Sequence, residues 1–235
     1  MALPFFYKED IDSSITEFVL DEVTSKHIVQ VLRMQNSEQL QLTNGKGNLF
    51  TAEIVDNNRK KCALKILKTF DIPHSPFSIT VAISPVKNTT RFEWFLEKAT
   101  EIGVSEIIPL ICERTEKTVF KADRLKSILV SAMLQSQQCW LPVLHEPTKF
   151  KQLAESSAQQ QKFIAHCVEG AKRNLADLNN ESLSSKIILI GPEGDFTPGE
   201  IEQALENHFS AVALGQTRLR TETAGVVATV LLSIL

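Results

Sequence analysis

The chain has 235 residues, 43% of them hydrophobic and 23% charged, which is ordinary for a globular protein and long enough for two modest cores or one large one. No stretch approaches the roughly eighteen consecutive apolar residues of a membrane span, and Met1–Asp10 lacks the basic and apolar regions of an export signal, so a cytoplasmic protein without a membrane partner is expected. The formal net charge of -3 argues against an indiscriminate phosphate binder but leaves RNA open as a substrate, because Lys and Arg gathered on one face set a local field whatever the total.

From Phe18 to Phe70 the pattern is one of strands and turns. A short helix is expected over Ser25–Met34, with Ile28, Val31 and Leu32 on one face. Gln39–Thr43 alternates polar and apolar, Asn44-Gly45-Lys46-Gly47-Asn48 is turn chemistry, and Leu49–Val55 resumes a strand, which makes a hairpin. Cys62–Leu67 reads as a further strand. Arg59, Lys60, Lys61, Lys65 and Lys68 form one basic gathering, either RNA-facing or simply a solvated hairpin end, and Lys87, Arg91 and Lys98 form another. The segment Asp71-Ile72-Pro73-His74-Ser75-Pro76 reads as a linker, since its prolines interrupt pairing. It divides the chain into 1–72 and 73–235.

Beyond the linker, strands alternate with helices. Strands are expected at Ile79–Ile83, Glu106–Cys112, Phe163–Cys167, Lys186–Ile190 and Ala211–Leu214. Between them lie an amphipathic helix over Thr90–Ile102, stopped by Gly103, a second over Ala122–Gln137, a third from about Pro198, and an apolar helix at the end. This βαβα order implies an α/β domain with a mostly parallel sheet covered on both faces. Ligands of such sheets sit where loops leave the carboxyl ends of the strands.

Two loops can carry chemistry. In Gly191-Pro192-Glu193-Gly194-Asp195-Phe196-Thr197-Pro198-Gly199-Glu200, Thr197 and Glu200 form a capping box and Pro198 suits the first helical position. The glycines before it let backbone approach a ligand closely, or simply make a tight connection. In Leu214–Gly225, two arginines, three threonines and a glutamate lie between a buried strand and a buried helix, where not all can be core. Some face a polar ligand, or Thr221 or Thr223 caps the last helix and Arg218 or Arg220 pairs with Glu222.

The remaining signals exclude more than they assign. Neither a dinucleotide fingerprint nor a phosphate-binding Gly-Lys loop occurs. Cys62, Cys112, Cys139 and Cys167 are widely spaced and the five histidines lack ligand spacing, so no metal or disulfide is expected. All four thiols read as buried or half-buried. Of the histidines, His166 alone ends a predicted strand where a pocket can form.

Ile190-Gly191-Pro192-Glu193-Gly194, followed by Leu214-Gly215 and Leu219-Arg220-Thr221-Glu222-Thr223-Ala224, resembles the signature of the 16S rRNA uridine-N3 methyltransferases, the RsmE family of the SPOUT superfamily. Val31-Leu32-Arg33, Lys87 with Arg91, Lys98–Val104, and Gln135-Ser136 before Leu141-Pro142 fall in the family's order. The resemblance implies an N-terminal PUA-like β-barrel that holds RNA, a C-terminal α/β domain tied in a trefoil knot, a homodimer, and S-adenosylmethionine as methyl donor. It implies 16S rRNA or the small ribosomal subunit as partner. His166, Gly191, Pro192, Glu193, Gly194, Leu214, Gly215, Leu219, Arg220, Thr221 and Thr223 are then expected around the donor.

Uracil N3 carries a proton at neutral pH, so its anion must be favoured. Arg220, with Arg218 second, is the candidate cation against the ring oxygens, and Glu222 or Glu193 the candidate proton acceptor. Lys87, Arg91, Lys98 and Arg114 are assigned to phosphate contacts, and Arg33 and Gln135 to RNA. The sequence departs from the family in four places: Leu3–Tyr7 lacks a leading arginine, Leu134–Gln138 lacks an acid and an arginine, Asp195 replaces a second glycine, and Ser37-Glu38 replaces a Gly-Asp turn.

Overall fold

The computed structural model describes residues 3–118, 121–170, 172–178 and 183–233. Contacts divide the chain into two compact units, one of Met1–His74 with Met133–Leu141, the other of Ser75–Ala132 with Pro142–Leu235.

In the first unit, β1 (Phe5–Tyr7), β2 (Glu17–Val19), β3 (Gln39–Thr43), β4 (Asn48–Asp56) and β5 (Ala63–Asp71) form a five-stranded sheet in the order β1-β3-β4-β5-β2. The β3–β4 hairpin pairs Gln41 with Thr51 and Leu42 with Phe50, as the alternation requires. Leu40, Leu42, Phe50, Ala52, Ile54 and Leu64 fill the core that the sheet wraps. The expected helix differs. It starts earlier, at α1 (Glu22–Lys26), because the Asp21 carboxylate caps the Thr24 N–H, and it continues as a π-type turn over His27–Val31. That turn buries Ile28 but leaves Val31 and Leu32 at 69% and 42% exposure, so the three do not share a buried face.

The second unit contains β6 (Ser78–Ile83), α2 (Thr89–Ile102), β7 (Glu106–Ile111), α3 (Ala122–Gln135), β8 (Val143–Leu144), β9 (Thr148–Lys149), α4 (Phe150–Ser156), β10 (Gln161–Ala165), β11 (Arg173–Asn174), α5 (Leu175–Leu178), β12 (Ser185–Ile190), α6 (Pro198–Glu206), β13 (Ser210–Ala213) and α7 (Thr221–Ser233). The tail of α3, from Met133, belongs to the first unit. The sheet runs β11-β13-β10-β12-β6-β7-β8, with β9 also on β7, and every described ladder is parallel. Its central strands are buried on both faces, which is why they read as unbroken apolar runs. One face packs α4 and α6 through Phe150, Leu153, Phe196 and Ala204. The other takes α7 against α2 and β6, and a Cβ at Gly225 would lie 2.6 Å from the Phe95 ring and 2.7 Å from Ile83, so only glycine lets α7 sit so close. Short elements such as β8, β9, β11 and α4 went unread because two to seven residues carry too little periodicity.

Chain order and sheet order part company at β10, which sits between β13 on one side and β12 on the other. Ala165, at the end of β10, lies opposite Ile190 and Val212, so the three strands finish almost level. Their following loops leave from one edge of the sheet at a topological switch point, where ligands of open α/β sheets bind.

Candidate cofactor and substrate site

Those loops line two adjoining cavities. The larger, about 450 Å³, is bounded by Gly191, Pro192, Glu193, Asp195, Arg218, Leu219, Arg220, Thr221, Glu222 and Arg91. The smaller, about 230 Å³, is bounded by His166, Cys167, Lys172 and the turn Leu214–Leu219. Ala165, Cys167, Arg218, Leu219 and Ala224 belong to both. Each cavity is close to or within the range that encloses a small organic ligand.

The turn after β12 is held at almost every residue. Thr221, the first residue of α7, is buried and donates from Oγ1 to the Gly191 carbonyl at 3.1 Å, which ties the two turns together. A Cβ at Gly191 would lie 3.1 Å from the Phe196 ring. The Arg114 guanidinium donates to the Gly194 carbonyl at 2.7 Å, and the Lys87 N–H donates to Glu193 Oε1 at 3.4 Å. Thr197 and Glu200 make the expected capping box at the start of α6, and Glu200 also accepts from the Glu113 N–H.

Asp195 was not among the expected site residues. It adopts φ 63°, the left-handed conformation that glycine takes without cost, and asparagine and aspartate tolerate better than other residues. Its carboxylate accepts from the Cys167 N–H at 2.8 Å and the Phe196 N–H at 2.9 Å. Asp195 thus takes a backbone shape that suits glycine and adds a brace to the β10 loop. Ser37 is likewise left-handed at φ 70°, and neighbouring Glu38 accepts from the Gln35 N–H.

Beyond β10, His166 sits on the wall of the smaller cavity with its Nδ1 buried and unbonded among the described residues. Burial holds its pKa below the ordinary histidine value, Lys172 adds to the lowering, and Asp195 opposes it. A neutral ring nitrogen without a protein partner is the kind of atom a polar ligand satisfies. Lys172 donates to the His166 and Val168 carbonyls, closing the loop on itself. Cys167 is exposed, which corrects the expectation of a buried or half-buried thiol; the other three are buried.

Not every expected residue reaches the cavities. Gly194 contributes its carbonyl to Arg114 and does not line either cavity, and Thr223 lies half-buried one position past the lining residue Glu222. Glu222 pairs with neither Arg218 nor Arg220, whose guanidinium groups are exposed and make no ion pair among the described residues. Its partner is Arg91, from α2, at 3.8 Å. Of the residues assigned to RNA, Lys87 pairs with Glu116, Lys98 lies between Glu97 and Glu101, and Arg114 braces the turn. Arg33 and Gln135 are exposed, Arg33 at φ 58°. Among the described residues no cluster of His, Cys, Asp and Glu can hold a metal ion, and no helix is long and apolar enough to cross a membrane.

Comparison with known proteins identifies the family and the fold. The RNA methyltransferase domain family matches residues 73–233, and the RNA methyltransferase PUA domain family matches residues 20–67. The ribosomal RNA small subunit methyltransferase E of Synechocystis is 31% identical over 86% of this chain and 68% of its own length. A crystal structure of a probable rRNA-methyltransferase from Porphyromonas gingivalis is 37% identical, with a TM-score of 0.90 over 97% of this chain and 95% of that one. A ribosomal RNA small subunit methyltransferase E from Neisseria gonorrhoeae, solved bound to S-adenosyl methionine, is 29% identical, with a TM-score of 0.85 over 97% of this chain and 95% of that one. The chain belongs to the RNA methyltransferase family, among the ribosomal RNA small subunit methyltransferases E.

Proposed function

We propose that this protein transfers the methyl group of S-adenosylmethionine to N3 of a uridine in 16S rRNA of the small ribosomal subunit. The observation that carries the reading is the hydrogen bond from Thr221 to the Gly191 carbonyl, which joins two glycine-containing turns around a cavity lined by Arg218 and Arg220. The residues present suit the donor. Backbone at Gly191, Pro192, Leu214 and Gly215 can approach a nucleoside closely, and His166 offers an unengaged ring nitrogen.

When bound, the sulfonium donor supplies a methyl group already activated for transfer. The chain's own residues supply the rest. Arg220, or Arg218, places positive charge where the uracil ring oxygens gain negative charge, inside a site that is partly shielded from water. Glu222 or Glu193 takes the N3 proton. The rigid turn after β12 keeps the reacting atoms in line. Family membership supports a homodimer, a trefoil knot in the second unit and a cytoplasmic location, and the PUA family match supports an RNA-holding role for the first unit, with Arg33 and Gln135 as contacts.

The test is to incubate the protein with methyl-labelled S-adenosylmethionine and small ribosomal subunits lacking the modification, then map the labelled nucleotide. A single N3-methyluridine in 16S rRNA is the expected product. Label on another base or another atom contradicts the assignment, and no transfer at all contradicts the enzyme.

A further inference from the structure

The larger cavity carries three carboxylates besides any a substrate brings, and the structure distinguishes them. Asp195 is committed to two backbone N–H groups, and the exposed Glu193 accepts from the Lys87 N–H. Glu222 is different. Its side chain is only 9% exposed, yet no hydrogen bond reaches its oxygens among the described residues. The carboxylate lines the cavity, and two features of the structure bear on its charge. The start of α7, where Glu222 occupies the first turn, favours negative charge, and Arg91 lies 3.8 Å away across the cavity wall. That separation is inside Coulombic range and outside hydrogen-bond range. The charge is balanced while the oxygen lone pairs stay open to the cavity.

We infer that Arg91 is a positioning residue for proton removal: it holds Glu222 aimed into the cavity, and Glu222 accepts the N3 proton of the target uridine. The inference rests on the proposed methyl transfer to uridine N3 and selects between its two candidate acceptors. It also moves Arg91 from the phosphate-contact role that its sequence position suggested. In the step, the N3–H bond breaks and its proton goes to the Glu222 carboxylate. The freed N3 electron pair forms the N–CH3 bond as the S–CH3 bond breaks, and sulfur keeps that bond's electron pair as a neutral thioether. The other charged groups facing this space are Arg218 and Arg220 from the turn after β13, and Glu193 and Asp195 from the turn after β12. Neither arginine makes an ion pair among the described residues, so Arg91 on α2 is the cation paired to Glu222.

The experiment measures single-turnover methyl transfer to small ribosomal subunits from pH 5 to pH 9 for the wild type, Arg91→Ala, Arg91→Lys and Glu222→Gln, with RNA affinity measured against salt for each. Glu222→Gln is expected to lose most of the rate at every pH. Arg91→Ala loses about tenfold or more of the rate because the carboxylate is no longer held toward the cavity, Arg91→Lys recovers most of that loss, and the RNA salt slope is the same in all four proteins. A rate in Arg91→Ala within about twofold of wild type overturns the inference, and so does weaker RNA binding with a salt slope reduced by about one, which makes Arg91 a phosphate contact. A rate that climbs steadily to pH 9 in every protein also overturns it, because the proton then leaves to solvent. A wild type that binds the donor yet methylates no uridine refutes the underlying reading instead.

Discussion

Of the two turns that meet at the larger cavity, the one after β12 is bonded at almost every residue, whereas in Gly215–Arg220 after β13 the described hydrogen bonding reduces to the Arg220 carbonyl accepting from Ala224 at the start of α7. The first wall has Gly191 tied to Thr221, Gly194 to Arg114, and Asp195 to Cys167 and Phe196. The second leaves Gly215, Gln216, Thr217, Arg218 and Arg220 exposed. A prebuilt wall fixes geometry before a ligand arrives and spares the entropy of ordering it. The open wall keeps its guanidinium groups free for substrate charge. The division of labour is therefore between a stiff positioning surface and a responsive electrostatic one.

Substitutions can break that contrast from either side. The largest effect is expected on the open wall, where Arg220→Ala should lower methyl transfer about 100- to 1,000-fold while donor affinity falls far less; rapid-quench turnover alongside calorimetric binding reads both. Near-normal turnover removes Arg220 from the chemistry. On the stiff wall, Gly191→Val forces a branched side chain against Phe196, and should cost about 1–3 kcal/mol of stability and weaken donor binding about tenfold or more, as chemical denaturation and calorimetry would show. An unchanged donor affinity would mean that the close approach at Gly191 does not serve the ligand.

Asp195 sharpens the comparison at a finer scale. Asp195→Gly loses the carboxylate brace but keeps the left-handed turn, whereas Asp195→Ala loses both, so the alanine variant should be the less stable by about 1 kcal/mol. Equal stabilities would show that φ 63° carries no strain there. The smallest effect concerns His166, whose pKa is lowered by burial. The unfolded ring takes up a proton at higher pH than the folded one, so its contribution to stability is complete above the ordinary value of 6.5 and is lost as pH falls below it towards the folded value. Melting temperatures from pH 8 to pH 5 should fall more for the wild type than for His166→Gln, and parallel curves would refute this.

How far the sequence spoke depended on how local each signal was. The turn after β12 was legible because Gly-Pro-Glu-Gly and the Thr197–Glu200 box lie within a few residues of one another. The parallel sheet was legible from apolar runs at Ile79–Ile83 and Lys186–Ile190, although Lys186 itself is buried, with its ammonium over the Phe77 ring. Arg91 beside Glu222 was not legible, since α2 and α7 meet only through packing around Gly225. The same holds for the brace that Asp195 makes to Cys167, since β10 and β12 are distant in sequence. In the first unit, the π-type turn at His27–Val31 defeated a reading based on regular helical spacing. The return of Met133–Leu141 to that unit has no local signature either.

Hydrogen exchange at the amides of 195–197 and 215–220, with and without saturating S-adenosylmethionine, probes both walls at once. Donor held between them should slow exchange strongly in 215–220 and only slightly in 195–197, whose N–H groups already donate within the turn and its cap. Exchange that the donor leaves unchanged in both turns would mean that they do not enclose it.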